Sequence, residues 1–475
     1  MNRQNKKPAA RNGKNLNRAD AFVLAFGAMI GWGWVVLSGD WIESAGTLGA
    51  ILAFVIGGIL VSFVGLVYAE LSSAMPQTEG VLLFSGAALG KRASFVCTWM
   101  ITLGFVAVIA FEAVALPSVL TYLFPNYMRG YLYTIAGFDV YATWLAVGIG
   151  ASVLVAIINF IGIKFAAVVQ TVLTVLIMVI GLFFLGGTAF NGEIANLTPA
   201  FSPGGFGGIL TVAVATPFFY MGFDVIPQAA GEMDISPKKI GSVLIISVLL
   251  AVAWYIMIIF CVGCDLTHGE MLTSTLPTAD AMQKAFGGRS IAGKLLVFGG
   301  VSGILSSWNA FYIAASRLLG SMAEAGMLPQ GLAGIHPKFR TPYRAIIVIA
   351  VITSLTPLLG KNMLNWLSNA GSFATVITYL LVAVSFLVLR RRKPEMERPY
   401  RVRYPKFVGY GAVVCCALLL MLYLPGFPSA LKWPYEWIII LAWSLLGAAM
   451  YLYANRKTRT NESTDSIVTA IGHSN

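Results

Sequence analysis

Gly27-Ala28-Met29-Ile30-Gly31-Trp32-Gly33-Trp34 sits in the middle of the first long apolar segment, and its reading decides the fold. A glycine in a helix interior costs about 1 kcal/mol relative to alanine. In hydrocarbon, every backbone N–H and C=O freed by a break must find a partner. A membrane helix that invites a break at mid-depth therefore either packs closely on a neighbour or turns its backbone toward a polar cavity. The rest of the chain favours the cavity.

The chain has 475 residues, of which 58% are hydrophobic and only 11% charged. Its mean hydropathy is +0.79. That composition excludes an ordinary soluble domain. Apolar runs of about 20 residues, each long enough to cross a bilayer, recur from end to end. The expected fold class is an all-α polytopic membrane protein with about twelve transmembrane helices. Approximate limits are 20–42, 48–71, 93–122, 141–161, 165–187, 207–231, 239–263, 291–322, 343–359, 365–390, 407–425 and 434–453. Residues 1–19 read as a basic cytoplasmic tail, 20–454 as one transmembrane domain, and 455–475 as a second, disordered cytoplasmic tail.

The net charge of +12 does not require nucleic acid, because the basic residues cluster at the ends of apolar segments. Arg3, Lys6, Lys7, Arg11, Lys14 and Arg18 precede the first span, and Arg390 to Lys406 fill the loop after the tenth. Lys91, Arg92, Lys164, Lys238, Lys239, Lys338, Arg340, Arg344, Arg456, Lys457 and Arg459 fall on the same side if the count is even. Asp40, Glu43, Glu193, Asp265 and Glu270 mark the opposite loops. The positive-inside rule then puts both termini in the cytoplasm. Trp41 reads as an interfacial anchor. Between the second and third spans, Glu70 to Gly90 is too short and broken to cross, which predicts an interfacial or re-entrant helix. The five cysteines, including Cys261 and Cys264 in a CxxC, lack any accompanying ligand cluster and read as small buried residues.

The sixth span repeats the anomaly of the first. Pro217, Gly222 and Pro227 fall within one short stretch, with Asp224 near mid-span. Proline and glycine together kink or break a helix. A charge there costs about 2.5–3.5 kcal/mol on insertion scales and should face a cavity or a partner. If residues 20–187 and 207–390 are two five-helix repeats followed by two extra helices at 407–453, the broken spans one and six are equivalent. Paired interruptions at corresponding positions point to a transporter binding site, as in the inverted-repeat leucine-transporter architecture.

These residues resemble the amino acid–polyamine–organocation permease superfamily. The Gly-x-Gly of span one carries the resemblance, with Tyr68-Ala69-Glu70-Leu71, Met75-Pro76 and Gly80. Asn159 to Lys164 with Gln170, and Gly222-Phe223-Asp224 through Glu232 and Pro237-Lys238-Lys239, continue it. Ser316-Arg317, Gly326 to Pro329, His336-Pro337-Lys338, and Leu389 to Tyr400 complete it, so the match covers about Asp20 to Tyr404. The resemblance implies an inverted 5+5 repeat with helices 1 and 6 unwound. Two departures stand out. Trp32 occupies a position between the glycines where the family usually has a small residue near the substrate carboxylate. Thr171 to Gly181 contains no ionisable residue, whereas several proton-coupled relatives carry a lysine midway along helix five.

An unwound segment offers N–H groups to a carboxylate at one end and C=O groups to an ammonium at the other. Expected substrate-binding residues are Gly31, Trp32, Gly33, Trp34, Gly222 and Asp224, with Phe218, Phe219 and Phe311 as apolar walls. Packing alone is the other reading for the aromatics. Asp224 has two functional readings, meeting a substrate amine or taking up a proton, beside a structural hydrogen bond near the break. Gly303, Ser306 and Ser307 share one helix face. With the carbonyls of Gly27 and Ile30 they form an oxygen set suited to a hard cation. These positions match, by resemblance, the sodium site of sodium-coupled members of the fold. No other cofactor is expected, and Glu112 reads as a buried hydrogen-bonded group or a proton carrier.

The expected function is secondary active transport of an amino acid across the cell (inner) membrane, by alternating access, coupled to sodium or protons. Trp32, Trp34 and Asp224 also suit an amine or other organic cation, since an aromatic wall attracts cations by about 0.5–2 kcal/mol. A nutrient sensor on the same scaffold is the third reading. No P-loop, zinc-binding helix or nucleophile elbow suggests an enzyme. The expected partners are a small-molecule substrate and the lipid bilayer.

Overall fold

The computed structural model describes residues 17–472 other than 78, 231–233 and 428; at 163–167, 229 and 457–472 it describes the backbone alone. The basic residues Arg3 to Lys14 and Glu232 lie outside the described residues, as does the Lys164 side chain.

The chain begins α1 (Arg18–Met29), α2 (Gly33–Val36) and α3 (Ser38–Ala45), so the first apolar segment is three pieces rather than one span. Asn17 sets the start: its side chain accepts from the N–H groups of Ala19 and Asp20, and Asp20 returns a bond to Asn17. This reciprocal pairing satisfies helix-end donors that have no intrahelical partner. The chain continues through α4 (Thr47–Ala74), α5 (Val81–Leu89), α6 (Lys91–Leu123), α7 (Ala142–Ile161) and α8 (Ile163–Asn191). The sixth segment is again interrupted, into α9 (Gly205–Phe219) and α10 (Val225–Ala229). Then come α11 (Pro237–Asp265), α12 (His268–Thr273), α13 (Pro277–Ala285), α14 (Ser290–Glu324), α15 (Tyr343–Ser354), α16 (Met363–Arg392), α17 (Pro405–Leu422) and α18 (Tyr435–Gly472).

Among the described residues, ten helices or helix pairs are long and apolar enough to cross a membrane, and two shorter apolar segments, Gly205–Phe219 and Tyr343–Leu359, accompany them. Two features differ from the sequence expectation. A β-hairpin, β1 (Tyr131–Ile135) and β2 (Phe138–Tyr141), caps the loop before α7. The last helix runs on to Gly472, where a disordered tail was expected after 455. Val81–Leu89, expected to be interfacial or re-entrant, is a short helix packed against α6 and α16.

The core is built around α6, which lies against α14 and α16 and has 83% of its apolar stretch buried within the protein. For α18 the share is 22%, so most of that helix faces outward. Close helix contact in a membrane depends on small residues at the crossing. At Gly300 of α14 a methyl group would overlap the Trp32 indole, so the glycine admits the large ring. Trp41, expected at an interface, is instead buried against Phe54 and Phe219, with ring centroids 4.5 and 4.9 Å away.

Candidate functional site

The two helix breaks meet. Gly222, between α9 and α10, has φ +140°, and a β-carbon there would lie 2.7 Å from the Met29 nitrogen at the end of α1. Only glycine gives both the backbone angle and the close approach. Around the crossing, freed carbonyls are answered by side chains from other helices. The Tyr255 hydroxyl of α11 donates to Met29 O at 2.9 Å, and the Ser306 hydroxyl of α14 donates to Gly27 O at 3.1 Å.

A small cavity of ≈ 20 Å³ lies at the first break. Gly31, Trp32, Gly33, Phe218, Phe219 and Phe311, all expected at the site, line it with Ser307. Its volume suffices for about one water molecule. Trp34, Gly222 and Asp224 do not line it. Trp34 packs edge-on against Trp254, at 5.5 Å between centroids. Asp224 turns back into its own break: its carboxylate accepts from the Gly222 N–H at 3.0 Å and the Tyr379 hydroxyl at 3.1 Å.

The carboxyl that does line the cavity is Glu112 of α6, 1% exposed. Its Oε1 accepts from the Ser307 hydroxyl, and the Trp32 backbone N–H is turned to the same carboxyl. Its Oε2 has no hydrogen-bond partner among the described residues. A β-carbon on Gly31 would lie 2.6 Å from Glu112 Oε1, so the glycine lets the carboxyl reach the backbone. Tyr255, Phe111, Val108 and Met221 are further lining residues absent from the sequence list. Glu112 alone carried a signal, as a carboxyl within a long apolar segment.

Gly303 and Ser306 of α14 lie against Ile30 and Gly27 of α1, with Ser307 beside Gly31. A β-carbon on Gly303 would lie 3.1 Å from Ile30 O and 2.8 Å from Gly31 O. Gly27 O and the two hydroxyls are engaged, however. Gln170 of α8 donates its amide N–H to Ser306 Oγ at 2.7 Å, and Thr174 lies 3.2 Å from the same oxygen. Gln170 in turn accepts from Asn309 at 3.2 Å, and Asn309 from Asn159 at 3.0 Å. Ser307 is committed to Glu112.

Above the cavity, Trp41, Phe54, Phe219 and Tyr255 form an aromatic layer. Beyond it a vestibule of ≈ 420 Å³ is lined by Asp40, Glu43, His268 and Lys361. Ser38 of α3 bonds Thr278 of α13, which also donates to Trp34 O at 3.2 Å, closing that side. At the end of α4, Glu70 is buried among Arg390 Nε at 2.8 Å, Arg398 Nε at 3.1 Å and the Val402 N–H at 2.8 Å.

Residues 16–451 match a family model described as amino acid permease. The chain is 27% identical over 464 residues to the branched-chain amino acid permease BcaP of Bacillus subtilis, covering 94% of this chain and 95% of that one. It is 26% identical to the methylthioribose transporter of the same organism, covering 94% of each chain. It is 28% identical to the serine/threonine exchanger SteT, covering 87% of this chain and 95% of the exchanger.

Proposed function

Because the chain belongs to the amino acid permease family, whose members are transporters rather than enzymes, we propose that it carries a small amino-bearing solute, an amino acid or an amine, across the cell membrane by alternating access, with both termini in the cytoplasm. The observation that carries this reading is the meeting of two broken helices, Gly222 against Met29, at a small cavity. The relatives named above act on branched-chain amino acids, serine and threonine, and methylthioribose, and so agree on small polar solutes without agreeing on one.

A cavity of ≈ 20 Å³ is smaller than any amino acid. Binding therefore requires the broken helices to part from α6 and α14, and those discontinuous pieces are the ones free to pivot. An inverted repeat of residues 20–187 and 207–390 fits this proposal, since it makes the two breaks equivalent. Coupling to a cation gradient belongs to it too. A sodium ion held by Gly27, Ile30, Gly303, Ser306 and Ser307 is one candidate: Ser307 donates its proton to Glu112 and keeps its lone pairs, while Ser306 already accepts one bond from Gln170. A proton taken up by Glu112 is the other.

Uptake of radiolabelled amino acids and amines into proteoliposomes, under separately imposed sodium and proton gradients, tests the reading. Accumulation of at least one of them under one gradient is expected. No uptake of any under either would overturn it. Ser307→Ala with sodium-driven uptake unchanged would remove sodium from the site.

A further inference from the structure

We propose that the solute is an amine without an α-carboxylate, and that Glu112 provides from the protein the carboxylate that an amino acid would bring. The inference rests on the transport reading and names its substrate class. A free amino acid presents one cation and one anion, and its binding site must answer both. Here the Ser307 hydroxyl already donates to Glu112, and the Trp32 N–H is turned to the same carboxyl.

Among the lining residues there is no arginine, lysine or histidine. A second carboxylate entering this space would meet a like charge, no counter-ion and aromatic rings whose faces repel anions. Burying such a group unpaired is strongly unfavourable. An ammonium meets the opposite conditions. Glu112 Oε2 is buried and without a partner among the described residues, so it can accept a charge-assisted hydrogen bond. Phe111, Phe218, Phe219 and Phe311 surround it, and aromatic faces attract cations. The other carboxyl near the breaks, Asp224, is held by Gly222 and Tyr379 and does not line the cavity. The solute is therefore a monoamine with an apolar body, its nitrogen on Glu112 and its hydrocarbon among the phenyl rings.

The test uses the full-length protein and pairs of solutes differing only in the α-carboxyl group: phenethylamine against phenylalanine, and 3-methylbutylamine against leucine. Binding is read by thermal shift in detergent, and transport by uptake into proteoliposomes. The amine of each pair is expected to bind at least about tenfold more tightly than its amino acid. Glu112→Gln is expected to weaken amine binding at least about tenfold, with Glu112→Asp restoring part of it. If the amino acids are taken up and the amines neither bind nor compete, transport stands and the amine assignment falls. If the amines bind but nothing moves, the transport reading falls and the assignment stands. The wild-type comparison needs no variant to fold. Amine binding left unchanged in a folded Glu112→Gln protein would also overturn the role given to Glu112.

Discussion

At the scale of single residues, Gly222 is the most constrained position. Any side chain there meets both a left-handed φ of +140° and the Met29 backbone. Gly222→Ala is expected to cost about 1–3 kcal/mol from strain and to abolish uptake, because the two breaks can no longer meet. The check is unfolding temperature in detergent alongside uptake; wild-type values for both would show that the contact is dispensable. Glu112 and Asp224 show how little a buried carboxyl's sequence context says about its direction. Both sit in apolar segments, yet one faces the cavity and the other caps its own break. Asp224→Asn is expected to keep the Gly222 and Tyr379 contacts and most solute affinity, a result readable by competition binding.

At the scale of elements, two contacts hold pieces together with different strengths. Glu70, 1% exposed, joins the end of α4 to Arg390 and to the loop after α16 through Arg398 and Val402. Removing one partner of a buried pair leaves an uncompensated charge and costs about 3–5 kcal/mol. Glu70→Ala is therefore expected to lower the unfolding temperature sharply. Lys284 and Glu270 tie α13 to α12 at 2.7 Å, but both side chains are nearly half exposed. The Lys284 ammonium, with the Thr267 N–H, holds the Glu270 carboxyl down to about 2. Since the folded value lies below the ordinary 4.5, this pair stabilises above pH 4.5 and its contribution fades as pH falls toward 2. Solvent screening limits it to at most about 1 kcal/mol. Lys284→Ala should thus shift the neutral-pH unfolding temperature by little, and a large drop would contradict the screening argument.

At the scale of the whole molecule, the vestibule beside α3 and α13 is the side from which solute is expected to enter, with those two helices separating. Ser38 and Thr278 sit within hydrogen-bond reach across that seam. A Ser38→Cys, Thr278→Cys protein is expected to lose uptake on oxidation and regain it with reductant, as measured in proteoliposomes. Uptake that survives cross-linking would show that solute enters another way.

The chain's own order settled a good deal. Long apolar runs required membrane helices, because no other element short of a closed barrel satisfies its backbone in hydrocarbon. Glycine marked the interruptions, at Gly31 and Gly222, whereas Pro217 and Pro227 stay within α9 and α10. Helical spacing gathered Gly303, Ser306 and Ser307 on one face. Only the tertiary structure decided what each face meets. It brought Gln170 from another helix onto Ser306, folded Trp41 inward, turned Asp224 away and brought Glu112 to the first break. The period of a helix fixes which residues share a side, but the neighbour on that side arrives from far along the chain, and its chemistry is set by packing rather than by spacing.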